Sequence, residues 1–189
     1  MNPRQIERFF KELDRGLDLP CEIILTGAAA GALMGNVRPS LDIDFEITPK
    51  KRIGPAFKKK LEAAILSARQ KSGVAAQYAG DISRWSMIDF LDYRQKAVPY
   101  KTVGRLRLRL ISPEHWTLGK MARYLELDIQ DMIRVIRKNK IPARRLTDLW
   151  ARALKKSLLS PHLELFRRHV EDFLRGSGRR VWGKGFDHP

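Results

Sequence analysis

Eight residues, LDIDFEIT at 41–48, constrain the fold of this chain more than any other stretch. Leu41, Ile43, Phe45 and Ile47 alternate with Asp42, Asp44, Glu46 and Thr48, the period of a β-strand with one apolar and one acidic face. Such a strand has to lie on a core and turn its carboxylates away from it. Upstream, CEIIL at 21–25 is short, apolar and bounded by Pro20 and Gly27, which fits a buried strand better than a helix. Between the two, GAAAGALMG reads as a turn leading into a short alanine-rich helix, its glycines permitting close backbone approach.

Helices and two further strands surround this pair. From Pro3 to about Arg15, Ile6, Phe9, Phe10 and Leu13 recur at three and four, the stripe of an amphipathic helix that closes at Gly16. A basic helix from about Ala56 to Lys71 carries a modest stripe and is expected on the outside of the sheet. SRWSMIDFL (83–91) and RLRLRLI (105–111) read as strands, the second alternating Arg105, Arg107 and Arg109 with leucines. Beyond them, Ser112 is an N-cap with Pro113 at the first helical position, and the helix is expected to run on through LDIQDMIRVIRKN. Further helices fill 142–175, and the Gly- and charge-rich tail reads as flexible, with Trp182 and Phe186 able to dock. The expected fold is α/β (α+β): a mixed β-sheet with flanking helices over 1–112, a helical C-terminal portion over 113–175 and a basic tail over 176–189.

At 189 residues, 43% of them hydrophobic, the chain can bury one sizeable core and a small accessory lobe. No apolar run approaches the roughly 20 residues of a membrane span, so a soluble, cytoplasmic protein with no membrane partner is expected. The single cysteine, Cys21, reads as a small buried residue. Lys and Arg number 37 against 21 Asp and Glu, a net charge of +16 that exceeds what solubility needs and points to a polyanionic partner or substrate.

The acidic face carries the chemistry. Asp42 and Asp44 point the same way and repel unless a cation sits between them. Mg2+ takes oxygen ligands and prefers one or two protein carboxylates plus substrate phosphates. The glycine turn that opens the preceding helix offers backbone N–H groups and the positive end of a dipole to a phosphate. Either feature alone is ordinary, since a DxD on a strand is often solvated and Gly with Ala before a helix is a common turn.

Together they resemble the nucleotidyltransferase superfamily that shares the palm fold of DNA polymerase beta. Its signature is Gly, then Gly or Ser, a spacer of about ten residues, and two acids flanking one apolar residue. Gly27 and Ala28 fall on the first positions and Asp42 and Asp44 on the last. Within the spacer, Ala30, Leu33, Gly35, Arg38 and Ser40 match the intervals of the minimal bacterial, toxin-like and abortive-infection-type members. Looser likeness continues through Ser112-Pro113-Glu114, Lys120, Asp128 and Asp131, so that it covers residues 20 to 138. Ala28 departs from the pattern: it keeps the N–H but lacks the hydroxyl and some conformational freedom.

The resemblance implies Mg2+ chemistry, with two ions and Mn2+ as an alternative, that transfers a nucleoside monophosphate from an NTP to a hydroxyl. It places Gly27, Ala28, Arg38, Ser40 and Lys120 at the nucleotide. It also calls for a third carboxylate on a neighbouring strand, for which Asp89, inside an apolar run, is favoured over Asp92 at the strand exit. Asp128 would fall on the apolar stripe of a continuous helix. It is therefore expected to cap a new helix with Asp131 in its first turn, or, as the lesser reading, to orient Lys120 or Arg123. The arginine row binds phosphates or pairs with acids on adjacent strands. RNA, tRNA especially, is the natural acceptor for so basic a chain, and the toxin-like relatives make an antitoxin a candidate partner. The alternative from another class is a catalytically inactive palm-fold nucleic-acid-binding protein, which Ala28 invites.

Overall fold

The computed structural model describes residues 2–35, 41–50 and 54–187. The fold is α+β, with a five-stranded mixed sheet and helices that flank or follow it. The chain divides into two compact units. One comprises Met1–Leu33, Arg38–Asp81 and Ala97–Ile111, and the other Met34–Val37, Ile82–Lys96 and Ser112–Pro189. Among the described residues no helix is long and apolar enough to cross a membrane.

The first unit holds α1 (Pro3–Gly16), β1 (Cys21–Thr26), most of α2 (Gly27–Gly35), β2 (Asp42–Pro49), α3 (Pro55–Ser72) and β3 (Ala75–Ala79). The strands β4 (Val98–Val103) and β5 (Leu106–Leu110) complete it. Asn2 starts α1 with a reciprocal cap: its side chain accepts from the Gln5 N–H and the Gln5 side chain accepts from its own. The strands run in the order β3-β2-β1-β5-β4, with β1 antiparallel to β2 and parallel to β5, β2 parallel to β3, and β4 antiparallel to β5.

On one face of the sheet Ile23, Leu25, Ile43, Phe45, Leu106 and Leu108 are buried. Phe45 meets Phe9 and Phe10 of α1 at ring centroids of 5.9 and 5.5 Å, and Tyr78 of β3 at 6.2 Å. Helix α3, begun by Gly54 and Pro55 and ended by Gly73 in the left-handed region, packs beside α1 through Phe57, Leu61, Ala64, Ile65 and Ala68. A Cβ on Gly16 would stand 2.7 Å from that of Ala64, so the two helices touch where α1 has no side chain.

The second unit is helical: α4 (Tyr93–Lys96), α5 (Pro113–Arg123), α6 (Glu126–Lys138), α7 (Ala143–Lys156) and α8 (Pro161–Trp182). Ser112 caps α5 as its sequence predicts, accepting from the His115 N–H. Trp150 lies at the centre, its ring 5.7 Å from Phe173 and its indole N–H donating to Thr117 Oγ1 at 2.9 Å.

Four expectations need correction. Residues 83–91 form no strand: Ile82–Trp85 is a 3-10 turn, and the following loop buries Ile88 and Phe90 while Met87 and Leu91 take positive φ of 58° and 57°. The sheet instead gains β3 and β4. The helix after Ser112 does not run on, because Tyr124 adopts φ 52° and α6 starts afresh at Glu126. The tail is not free from residue 176, because α8 continues to Trp182, whose indole N–H donates to the Ile141 carbonyl at 2.9 Å. The 82–96 segment belongs with the C-terminal helices and not with the sheet.

Phe45 has no exposed surface and is the ring through which α1 meets the sheet. Phe45→Ala is expected to destabilise the protein by about 3–5 kcal/mol, read as a lower midpoint in urea with an unchanged slope.

Candidate functional site

The acidic face of β2 is the chemical focus of the first unit. Asp42 and Asp44, two residues apart, share it and are half-buried. The antiparallel register pairs Thr26, the last residue of β1, with Asp44, and the parallel register pairs Gln77 of β3 with the same residue. Gly27 follows Thr26 directly, at φ 62°, and opens α2. A Cβ built on it would fall on Asp44 Oδ2 and lie 2.8 Å from Cγ and 2.9 Å from Cβ of that aspartate. Glycine is required here twice over, by the left-handed backbone and by the carboxylate that fills the space. The glycine turn and the aspartate pair, well separated in sequence, are therefore one constellation in space.

Its donor set suits a hard cation. Two half-buried carboxylates on one strand face, beside the N-terminal end of a helix with no acidic residue in its first turn, offer oxygens to a metal and amide dipoles to a phosphate. Among the described residues no three His, Cys, Asp or Glu side chains form a complete metal cage. A Mg2+ site that completes its shell with substrate phosphates and water needs only the pair. Glu46 stands two residues further along the same face, buried at 1% exposure. The alternation of 41–48 puts it on that face, but its burial is not legible in the sequence.

Arg38 and Ser40 fall outside the described residues. Ala28 sits in the first turn of α2. Asp89 is in the second unit, exposed, in the loop after the 3-10 turn. Its Oδ1 accepts the Leu91 N–H at 2.6 Å, and its own N–H donates to Ser157 Oγ at 2.8 Å. The strand that would have carried it as a third acid does not form, and the strand beside β2 presents Gln77 there. Arg105 and Arg109 are tied locally. Arg105 donates to Asp14 through its backbone N–H, and Arg109 donates to Glu22 at 2.8 Å and to the Ala97 carbonyl. Trp85, in the 3-10 turn, is about half exposed.

Lys120 has a different environment from that of an exposed helical lysine. It is buried, with its ammonium donating to Asp128 Oδ1 at 2.8 Å and Asp131 Oδ2 at 3.0 Å and lying 5.0 Å from the centre of the Trp116 ring. Arg123 forks onto Asp128, Nη2 to Oδ1 at 2.7 Å and Nε to Oδ2 at 3.1 Å. The helix does break before Asp128, but Leu125 occupies the N-cap and Asp128 does not cap. The lesser sequence reading, a carboxylate that orients Lys120 and Arg123, describes its contacts. Burial pushes the Asp128 carboxyl up, yet the hydrogen bonds from Arg123 and Lys120 outweigh it and hold the group below its ordinary value. Two carboxylates therefore already engage Lys120.

A second buried polar group joins Asp92 to α5. His115 Nε2 lies 3.2 Å from Asp92 Oδ1 and Nδ1 lies 2.8 Å from Ser112 Oγ. Burial lowers the imidazole below its ordinary 6.5 in spite of the bond to Asp92, which raises it. A neutral ring satisfies both contacts, with Nε2–H donating to Asp92 and Nδ1 accepting the Ser112 hydroxyl.

Two predictions follow from these clusters. Lys120→Met should destabilise the protein by about 3–5 kcal/mol, because it leaves Asp128 and Asp131 buried without their ammonium; urea titration with and without Asp128→Asn checks it. Because folding holds His115 neutral, its contribution to stability is complete above pH 6.5 and is lost as pH falls through 6.5 towards the lower folded value. His115→Gln should flatten that limb of a plot of urea midpoint against pH.

Compared with known proteins, the chain matches no family model, no curated protein and no solved structure.

Proposed function

We propose that the chain is a metal-dependent nucleotidyltransferase of the DNA polymerase beta-like palm superfamily, which transfers a nucleoside monophosphate from an NTP to a hydroxyl acceptor and releases pyrophosphate. The observation that carries this reading is the fit of Gly27 against Asp44, which joins the two halves of the sequence signature where β1 ends beside β2. Asp42 and Asp44 would hold Mg2+, or Mn2+ in its place. When bound, that metal neutralises charge on the transferring phosphoryl group and lowers the pKa of an oxygen ligand.

The remaining work falls to the chain itself. Gly27 lets the Asp44 carboxylate stand against the start of α2, where first-turn amides and the helix dipole favour the triphosphate. Ala28 preserves its amide there without adding a hydroxyl. Arg38 and Ser40 keep the nucleotide-binding places that the resemblance gives them. Lys120 has no such part in this reading, since leaving two buried carboxylates for a phosphate would strand both. Asp89 likewise has no strand to bring it to β2. RNA is the acceptor class that the net charge of +16 favours.

The test is to incubate the protein with Mg2+, each α-labelled NTP in turn and a mixture of total RNA and cell protein. An Asp42→Asn, Asp44→Asn double variant runs alongside. Label should enter RNA with the parent protein and fall by at least about a hundredfold with the variant, more than the loss usual for removing an outer-shell partner of a metal. RNA binding with no label from any NTP, both proteins being folded, would instead mark the palm-fold binding protein that Ala28 invites.

A further inference from the structure

Exposed cations of the helical unit gather at two helix ends that the fold brings together. The last turn of α6 and the residues after it carry Arg137, Lys138 and Lys140, and the last turn of α8 and its exit carry Arg179, Arg180 and Lys184. These ends are far apart in sequence. The hydrogen bond from the Trp182 indole to the Ile141 carbonyl draws them to one place, and Phe186, tilted on Trp182 at 4.8 Å and packed over Gly178, fixes the exit of α8 there.

All six side chains are exposed. Among the described residues the acids that meet this end are few: Asp187 lies 3.7 Å from Arg179, while Asp148 and Glu114 engage Arg144 and Arg145, which are not counted in the six. No described carboxylate stands within ion-pair distance of Arg137, Lys138, Lys140, Arg180 or Lys184. A cation or two at each helix end would complement the helix dipole, and this group exceeds that need. The surface offers few apolar anchors, because the partly buried Trp182 and Phe186 are engaged with each other and Trp182 also with Phe173. None of the large exposed hydrophobic residues lies in 128–157 or 166–187. A protein partner or a lipid surface would be held by such anchors, whereas a phosphate backbone is held by exposed cations alone.

We infer that this end of the helical unit is a docking surface for the phosphodiester backbone of a nucleic acid, with the six cations as its phosphate contacts. The inference extends the RNA reading above, because a surface of this kind would retain an acceptor strand. It concerns binding alone, so it can be tested without nucleotide or metal.

Two triple variants remove three charges each: Arg137→Gln, Lys138→Gln, Lys140→Asn, and Arg179→Gln, Arg180→Gln, Lys184→Gln. Asparagine is chosen at 140 because Lys140 has φ 49°. A control removes three exposed cations from α3 of the other unit by Lys58→Gln, Lys59→Gln, Arg69→Gln. Binding of labelled single-stranded RNA, duplex RNA and duplex DNA is followed by anisotropy over a salt series in EDTA, with circular dichroism confirming that each variant is folded.

For each patch variant the slope of log K against log salt should flatten by about 2 to 3, the sum for three lost phosphate contacts, and the control should keep the parent slope. Flattening with all three strands identifies the shared backbone as the ligand, and flattening with RNA alone narrows it to a ribose-bearing strand. Equal losses from the α3 control would overturn the inference, as would unchanged slopes in the patch variants. So would competition by poly-glutamate as effective as that by RNA. Absence of labelling by the parent protein, with the slopes flattened in the patch variants, would count against the transferase reading and leave the surface standing.

Discussion

Phe45 and its neighbours set the constraint from which the first unit is built. A strand between two others can bury a ring only by pointing it at the helices, and Phe45 does so against Phe9, Phe10 and Tyr78. Because side chains on a strand alternate, the residues on either side of it, Asp44 and Glu46, must then face the other way. A slip of one residue would bring carboxylates into the aromatic core, at a cost no sheet hydrogen bond offsets. The packing of the core thus determines the direction of the aspartates, and the turn at Gly27 is built against the result.

The two units handle buried charge by opposite means. In the first, Asp42 and Asp44 are half-buried on a common strand face, with Asp44 against the glycine turn that opens α2. In the second, Lys120, Arg123, Asp128 and Asp131 bring two positive and two negative groups together and neutralise one another within the protein. The second holds one helix to the next.

Much of this was legible in the residues. The alternation of Ile43, Phe45 and Ile47 with Asp42 and Asp44, the bounded run 21–25 and the Ser-Pro start of α5 each carry a local signal strong enough to survive folding, whereas Leu41 lies before the strand and is exposed. Failures occurred where the signal is intrinsically weak. AAQYA has three alanines where a strand would show branched residues, and Pro99 in β4 argues against a strand unless that strand is at an edge, as it is here. Residues 83–91 mimic a strand because Ile88 and Phe90 are buried alternately, while the positive φ at Met87 and Leu91 has no glycine to announce it. The same holds at Tyr124, where α5 ends on a residue that favours no such backbone. The family resemblance brought the glycine turn and the aspartates together, but the partners of Lys120, eight and eleven residues on, needed the bend between α5 and α6 to be known first.

That bend also bears on how the helical unit comes apart. The ammonium of Lys120 and the carboxylates of Asp128 and Asp131 are tolerable in the interior only in one another's company. Neither α5 nor α6 can fray at this junction while its neighbour stays in place without leaving a charge stranded among apolar side chains. The two helices should therefore open and close as one cooperative element, their backbone amides sharing a common protection against exchange with solvent. An ion cluster that adds little to net stability would in this way determine the size of the piece that unfolds.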